Sequence, residues 1–188
     1  MKILVITNLY PPHEIGGYEL RCRDVCDRLK QLGHEIKIVT SDHTVAGRQE
    51  IPEPHVSRKL QINGMYGHPW LPIHRLYALE KHNHETLNHE ISDFQPDIIH
   101  VWNMGGISKS LLLRLEQGSI PVVYDVSDHW IARSLRADVW LSWWNAPGSV
   151  GRTVLRKILS CIGIRSMLNR TVPTRSWDFL KFEKIYFC

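Results

Sequence analysis

The stretch Met1–Asp42 constrains the fold more than any other part of the chain. Lys2–Thr7, KILVIT, is a short unbroken apolar run closed by turn residues. Apolar side chains at successive strand positions face both ways, so the run reads as a strand buried on both sides, as in a parallel sheet. From Tyr18, apolar residues recur at Cys22, Val25, Cys26, Leu29 and Leu32, one stripe of a helix. Arg21, Arg23, Asp24, Asp27, Arg28 and Lys30 take the other side, and Gly33 supplies a left-handed C-terminal cap. HEIKIVTSD follows as a second strand. Strand, helix and strand at this spacing predict a β-α-β unit with a right-handed crossover.

The alternation continues. Thr44–Pro54 reads as a loop, Val56–Ile62 as a strand ended by Asn63-Gly64, and Leu71–Phe94 as a long helix. PDIIHVWN predicts a strand, Ile107–Gln117 a helix and IPVVYDV another strand. The expected class is α/β: a doubly wound, mostly parallel Rossmann-like sheet with helices on both faces. In the last third, VWLSWWNAPGSVG reads as an aromatic loop, Val150–Leu168 as an apolar and basic helix, Trp177–Phe182 as a short helix and KIYFC as strand-like.

With 188 residues, 43% of them hydrophobic, one domain over 1–188 is expected. No apolar run reaches the ~18–20 residues that span a bilayer, and the N-terminal run is too short for a secretory signal. A cytoplasmic location is the expectation. Cys22, Cys26, Cys161 and Cys188 contain no C-x-x-C pair. Cys22 and Cys26, at i and i+4, read as small buried residues rather than half a metal site. The net charge of +4 implies no nucleic-acid partner. It is unevenly spread: from Val139 to Trp177 there is no acid, while Arg152, Arg156, Lys157, Arg165, Arg170 and Arg175 fall there.

Asn8–Gly17 joins the first strand to the first helix, the place where ligands bind in such folds. Helix N-termini suit phosphate, and glycines let it approach the backbone. EIGGYE is neither G-x-G-x-x-G nor a Walker loop. That argues against a dinucleotide oxidoreductase and leaves Gly16-Gly17 evenly placed between a phosphate site and a tight turn. In HNHETLNHE, His84 and His89 are five apart and point roughly 140° apart on a helix, so the segment reads as a solvated face and not as zinc ligation. VVYDVSDHW sets Asp125, Ser127, Asp128 and His129 at a strand's carboxyl end. A histidine beside a carboxylate is a candidate general base, and helix capping by Asp128 is the competing reading. Asn103 and the glycines of HVWNMGG are candidates to line the same cleft, with His100 as a core histidine. The helix of the basic segment is expected to pack on the domain with its arginines in water. WLSWW beside it leaves peripheral contact with anionic lipid, at the inner membrane face, as the alternative.

These residues as a set resemble the start of family 4 glycosyltransferases: the opening strand, the paired-glycine loop, the helix, the GHE-led second strand, then QPDIIHVWN and IPVVYDVSDHW in matching order. The likeness covers roughly Met1–His129. It implies one half of a two-Rossmann-domain (GT-B) enzyme that moves a sugar from a nucleotide-sugar donor to an acceptor, with no required metal and no cofactor. By position it implies that Gly16 and Gly17 face the donor diphosphate. It likewise places Asn103 and Ser127 in the acceptor-side cleft, and Asp128 and His129 as catalytic candidates. Two matching positions differ: members often carry His-Asp where this chain reads Ser127-Asp128 followed by His129, and a histidine where Trp102 stands. Such an enzyme needs a second domain holding most donor contacts. The chain is therefore expected to be an N-terminal, acceptor-side domain, inactive alone and partnered by a C-terminal domain. The rival reading is a non-catalytic α/β module that binds a nucleotide or a partner.

Overall fold

The computed structural model describes residues 1–49, 52–65, 69–126, 131 and 137–176. Among them, strands β1 (Lys2–Ile6), β2 (Glu35–Ser41), β3 (Val56–Leu60), β4 (Ile98–Val101) and β5 (Val122–Tyr124) form one sheet in the order β3-β2-β1-β4-β5. Every pairing is parallel. Val5 lies opposite Ile38 on one side and His100 on the other, so β1 is the centre from which the order runs both ways. Helices α1 (Gly17–Gln31), α2 (Ile73–Phe94), α3 (Ser110–Leu115), α4 (Val139–Asn145), α5 (Val150–Cys161) and α6 (Ile164–Thr171) complete the described elements.

The apolar strands serve two cores. Ile3, Val5, Ile36, Ile38 and Trp102 pack with Cys22 and Cys26 of α1 on one face. Leu4, Ile6, Val39, Ile99 and Val101 pack with Leu87 and Phe94 of α2 and Leu111 and Leu112 of α3 on the other. Both cysteines are fully enclosed, as small apolar residues are. A third cluster gathers Leu76, Leu113, Trp140, Leu141, Trp144, Leu168 and Val172. Gly33 takes the left-handed conformation at φ +84°, which ends α1 as its position predicts.

Three local expectations are corrected. WLSWW is not a loop: it is α4, started by Asp138, whose Oδ1 accepts from Leu141 N at 2.8 Å. Trp140 and Trp144 of this helix are buried, so tertiary burial fixes a segment whose local pattern is weak. The basic segment is two helices, because Gly163 turns left-handed at φ +77° between α5 and α6. The inner face of α2 is not solvated: Glu80, Asn83, His84 and Glu90 are all buried. Asn83 accepts from Gln61 N at 2.7 Å and donates to Gln61 O at 2.8 Å, replacing a strand partner just beyond β3. His84 meets Ser110 Oγ at 3.0 Å, and Glu90 accepts from Ser57 Oγ at 2.6 Å while pairing with Lys37 and Lys59. Polar residues face inward because the sheet edge and the α3 start carry polar groups that need partners. His89 is exposed, so it and His84 face different surroundings. The expected helix at Trp177–Phe182 and the strand-like KIYFC lie outside the described residues.

Candidate functional site

Because β1 sends β2 to one side and β4 to the other, the loops leaving the carboxyl ends of β1 and β4 part at the switch point, where open α/β sheets bind ligands. Their backbones meet there: Asn8 N donates to Asn103 O at 2.7 Å. Asn103 Oδ1 accepts from Gly105 N at 2.9 Å, so its side chain is engaged in folding its own loop. A Cβ on Gly105 would come 3.0 Å from Asn8 Nδ2. Gly106 is left-handed at φ +78°, and a Cβ there would sit 3.1 Å from Gly64 O, which ties this loop to the one after β3. The glycines of HVWNMGG therefore permit close approach between loops.

A buried charge cluster holds the far end of the β4 loop. Lys109 Nζ donates to Met104 O at 2.8 Å and Ile107 O at 2.7 Å, and its backbone N donates to Asp138 Oδ2 at 2.6 Å. Ser108 Oγ donates to Asp138 Oδ1 at 3.2 Å. Burial lowers the Lys109 pKa to about 8, against the pull of Asp138 and Glu80. Burial first, then Asp138, raises the Glu80 carboxyl well above its ordinary value. Together with Asn63 these groups line a cavity of about 40 Å³.

The N-terminus of α1 forms the wall over the switch point. Tyr18 OH donates to Asp125 O at 2.6 Å and Oδ1 at 3.0 Å, and Arg21 Nη2 meets Asp125 Oδ2 at 2.8 Å. Asp125 directly follows β5, so the helix start is tied across β4 to the far strand. Beneath lies Trp102, fully buried, with the Tyr18 ring edge-on at 5.6 Å, the Arg21 guanidinium 5.4 Å from its centroid and His100 at 5.1 Å. His100 is half-buried, and burial chiefly lowers its pKa. His13 is buried too; its Nδ1 accepts from Val45 N at 3.2 Å, which leaves the proton on Nε2. Asn8 Oδ1, His13 Nε2 and Trp102 Nε1 have no partner among the described residues.

Gly16 caps α1 in an extended conformation and Gly17 is its first residue; both are exposed. The Gly16 N–H is already engaged: it donates to Glu19 Oε2 at 2.9 Å. The Gly17 N–H has no partner among the described residues, and a Cβ on Gly17 would meet nothing within 4 Å. Of the expected pair, then, the Gly16 amide is held by a carboxylate and the Gly17 amide meets no partner among the described residues. Ser127, Asp128 and His129 lie outside the described residues. The sequence reading missed Tyr18, Arg21 and Glu19. The signal was available, since Tyr18 and Arg21 are three apart and share a helix face. Glu19 stands three places after Gly16, the spacing at which a carboxylate reaches back to the cap amide.

The family model described as Glycosyltransferase Family 4 matches residues 15–159. An uncharacterised 42.6 kDa protein in the cps region of Klebsiella pneumoniae is 23% identical over 151 residues, covering 70% of this chain and 38% of that protein. An uncharacterised glycosyltransferase of Methanocaldococcus jannaschii is 29% identical over 70 residues, covering 37% of this chain and 18% of that protein. Among solved structures, sucrose-phosphate synthase from Thermosynechococcus elongatus aligns with a TM-score of 0.47 at 14% identity, over 93% of this chain and 47% of that one. The chain spans less than half the length of each of these proteins.

Proposed function

Because the chain belongs to glycosyltransferase family 4, we propose that it forms the acceptor-side lobe of an enzyme that transfers a sugar from a nucleotide-sugar donor to an acceptor. The proteins it resembles are more than twice as long as the span they share with it, and in this reading a second lobe grips most of the donor, so the 188 residues by themselves should not turn over. A transfer assay on the 188 residues with common nucleotide sugars tests that statement, and robust transfer refutes it.

In this reading the donor diphosphate approaches the N-terminus of α1 above the switch point. As the glycosidic bond to the donor breaks, positive charge spreads over the sugar ring and negative charge gathers on the leaving diphosphate. An amide already aimed at that charge lowers the barrier, because it need not reorganise as the charge appears. In this reading the Gly17 N–H takes that role, and the start of a fifteen-residue helix adds partial positive charge. The Tyr18 and Arg21 contacts with Asp125 keep the helix start in place, which is what makes its amide preorganised. Asn103 serves by shaping the β4 loop. Ser127, Asp128 and His129, which follow Asp125 in the chain, are assigned to the acceptor, with Asp128 or His129 taking the proton from its attacking hydroxyl. The rival, a non-catalytic module with the same cleft, would bind a nucleoside diphosphate without any transfer.

The Gly17 amide, the first of α1 and without a partner among the described residues, is the observation that carries the reading. The test is Gly17→Ala in the full-length enzyme. Space around the new methyl leaves the fold intact, while the methyl stands in the anion's path. Alanine keeps the N–H, so the loss comes from the methyl holding the anion off that amide; transfer should slow toward the roughly 10²–10³ that loss of one such donor costs. Melting should be unchanged. An unchanged transfer rate would reduce Gly17 to a turn residue.

A further inference from the structure

We propose that the face formed by α5 and its junction with α6 is a seat for an anionic lipid surface. The expectation from sequence was a helix packed on the domain with its arginines in water, and the structure departs from it at Arg156 and Arg165 and in the aliphatic side chains left exposed. Arg156 points inward and donates to Trp144 O at 3.0 Å and Ala146 O at 2.8 Å. Arg165 donates to Thr174 O at 2.9 Å and Asn145 Oδ1 at 3.1 Å, and its guanidinium lies 5.5 Å from the Trp144 ring centroid. Arg156 caps carbonyls that the end of α4 and the loop before α5 leave unpaired, and Arg165 binds a carbonyl just beyond α6 together with the Asn145 side chain. α5 meets the domain through Arg156 and a half-buried Leu159, and none of its residues is buried.

The apolar side is what faces out. Val150 is 82% exposed, Val154 50%, Leu155 43%, Ile158 51% and Ile162 62%. At roughly 100° per residue these fall within one arc of about 140°. Lys157 lies just beyond one border of that arc and Arg152 beyond the other, both exposed. Met167 on α6 is also open, at 59%. A contiguous apolar arc left in water at the surface of a folded domain marks a contact that the described residues do not supply.

Charge decides the occupant. No acid occurs from Val139 to Trp177, and Arg152, Lys157, Arg170 and Arg175 are exposed there. A second copy would bring cations to cations, with no carboxylate on this segment to answer them. Anionic lipid answers both features, since acyl chains take the apolar arc while headgroup phosphates meet the flanking cations. Twelve residues make a helix of about 18 Å, too short to cross a bilayer. No described helix is long and apolar enough to do so. α5 would therefore lie in the plane of the interface. This inference stands apart from sugar transfer, and its failure would leave that reading untouched.

The exposed Cys161, on the same arc, provides the probe, because Cys22 and Cys26 are buried. In the full 188-residue chain carrying Cys188→Ser, a polarity-sensitive fluorophore on Cys161 should brighten and shift to the blue with phosphatidylglycerol-containing vesicles. It should not respond to pure phosphatidylcholine. Raising salt from about 0.1 M to about 1 M, which shortens the screening length from ~10 to ~3 Å, should release the protein. Arg152→Glu with Lys157→Glu should weaken vesicle binding roughly thirty-fold. Ile158→Asp should weaken it about ten-fold or more, without a change in melting temperature. Equal binding to both vesicle types, a silent probe, or Ile158→Asp binding like the parent would overturn the proposal. So would a dimer in solution that Ile158→Asp dissolves without any vesicle binding by the parent, which would make the face an interface between copies.

Discussion

Glu19 separates the two tasks of the α1 N-terminus, holding the turn and receiving an anion. It is buried at 5% exposure, and its Oε2 takes the Gly16 N–H at 2.9 Å. Hydrogen bonds to charged groups contribute about 1.5–3 kcal/mol. A carboxylate in the first turn adds about 0.3–1 kcal/mol through the helix dipole. Gly16 is exposed, so water satisfies its amide once the carboxylate is gone, and the loss falls toward the lower half of the sum. Glu19→Ala should therefore cost about 2–3 kcal/mol. With a urea slope near 2 kcal/mol/M, the midpoint drops by about 1 M or slightly more. Glu19→Gln keeps an acceptor and loses the charge, and should cost about 1 kcal/mol. Anion binding should move the other way. A carboxylate roughly 5 Å from a bound phosphate repels it by about 0.8 kcal/mol per charge even at the dielectric constant of water. Glu19→Gln, which preserves the turn, should thus bind pyrophosphate or a nucleoside diphosphate about four-fold more tightly. Urea melts followed by circular dichroism read the first effect, and amide shifts of Gly16 and Gly17 during titration read the second. A Glu19→Ala variant as stable as the parent would refute the capping argument. Weaker anion binding by Glu19→Gln would refute the placement of the anion.

Asn83→Leu should cost about 2–4 kcal/mol in urea melts, because it strands both Gln61 backbone groups at the sheet edge; a loss under about 0.5 kcal/mol would mean water satisfies them. Asp138→Ala removes the α4 cap and the acceptor for Ser108 and the Lys109 amide, and leaves Lys109 buried with its carboxylate neighbour gone. A loss of about 3–5 kcal/mol is expected in the same assay. Burial lowers the His84 pKa to about 3, so the folded state keeps it neutral where the unfolded chain protonates it. Its contribution is whole above about pH 6.5 and fades as pH falls toward 3, by about 1.4 kcal/mol per unit. His84→Gln should flatten the stability profile between those values. Glu80, whose carboxyl is raised by burial, works in the opposite sense in both proteins and cancels in the comparison. A parallel profile for the variant would show that His84 titrates normally.

Much of the sheet was legible because its signals are local. KILVIT carries an unbroken apolar run, EIKIVT sets apolar residues about a single lysine, the α1 stripe repeats with helical period, and Gly33 stands where a left-handed residue closes the turn. The position of Gly16-Gly17 between β1 and α1 was readable for the same reason. Which of their amides is already bound was not, since that depends on where the Glu19 side chain folds back. The network of Tyr18, Arg21, Asp125 and Trp102 joins residues about a hundred positions apart, and sequence spacing does not report such distances.

What the sequence determined by itself is the order of the strands and of the first three helices, and with it the crevice at the carboxyl ends of β1 and β4. Hydrophobic period and glycine placement act over a few residues, and the parallel crossovers follow from them. What tertiary structure decided is which side of each later helix meets protein. The same pattern of cations and aliphatics on α5 is compatible with either face inward. Unpaired carbonyls at the end of α4 and in the loop behind it drew Arg156 in, and the aliphatic arc was left to water. On α2, the polar edge beyond β3 and the start of α3 likewise drew in Asn83 and His84, which their composition assigned to solvent. A buried backbone group must find a partner, and only the assembled fold says where those groups lie.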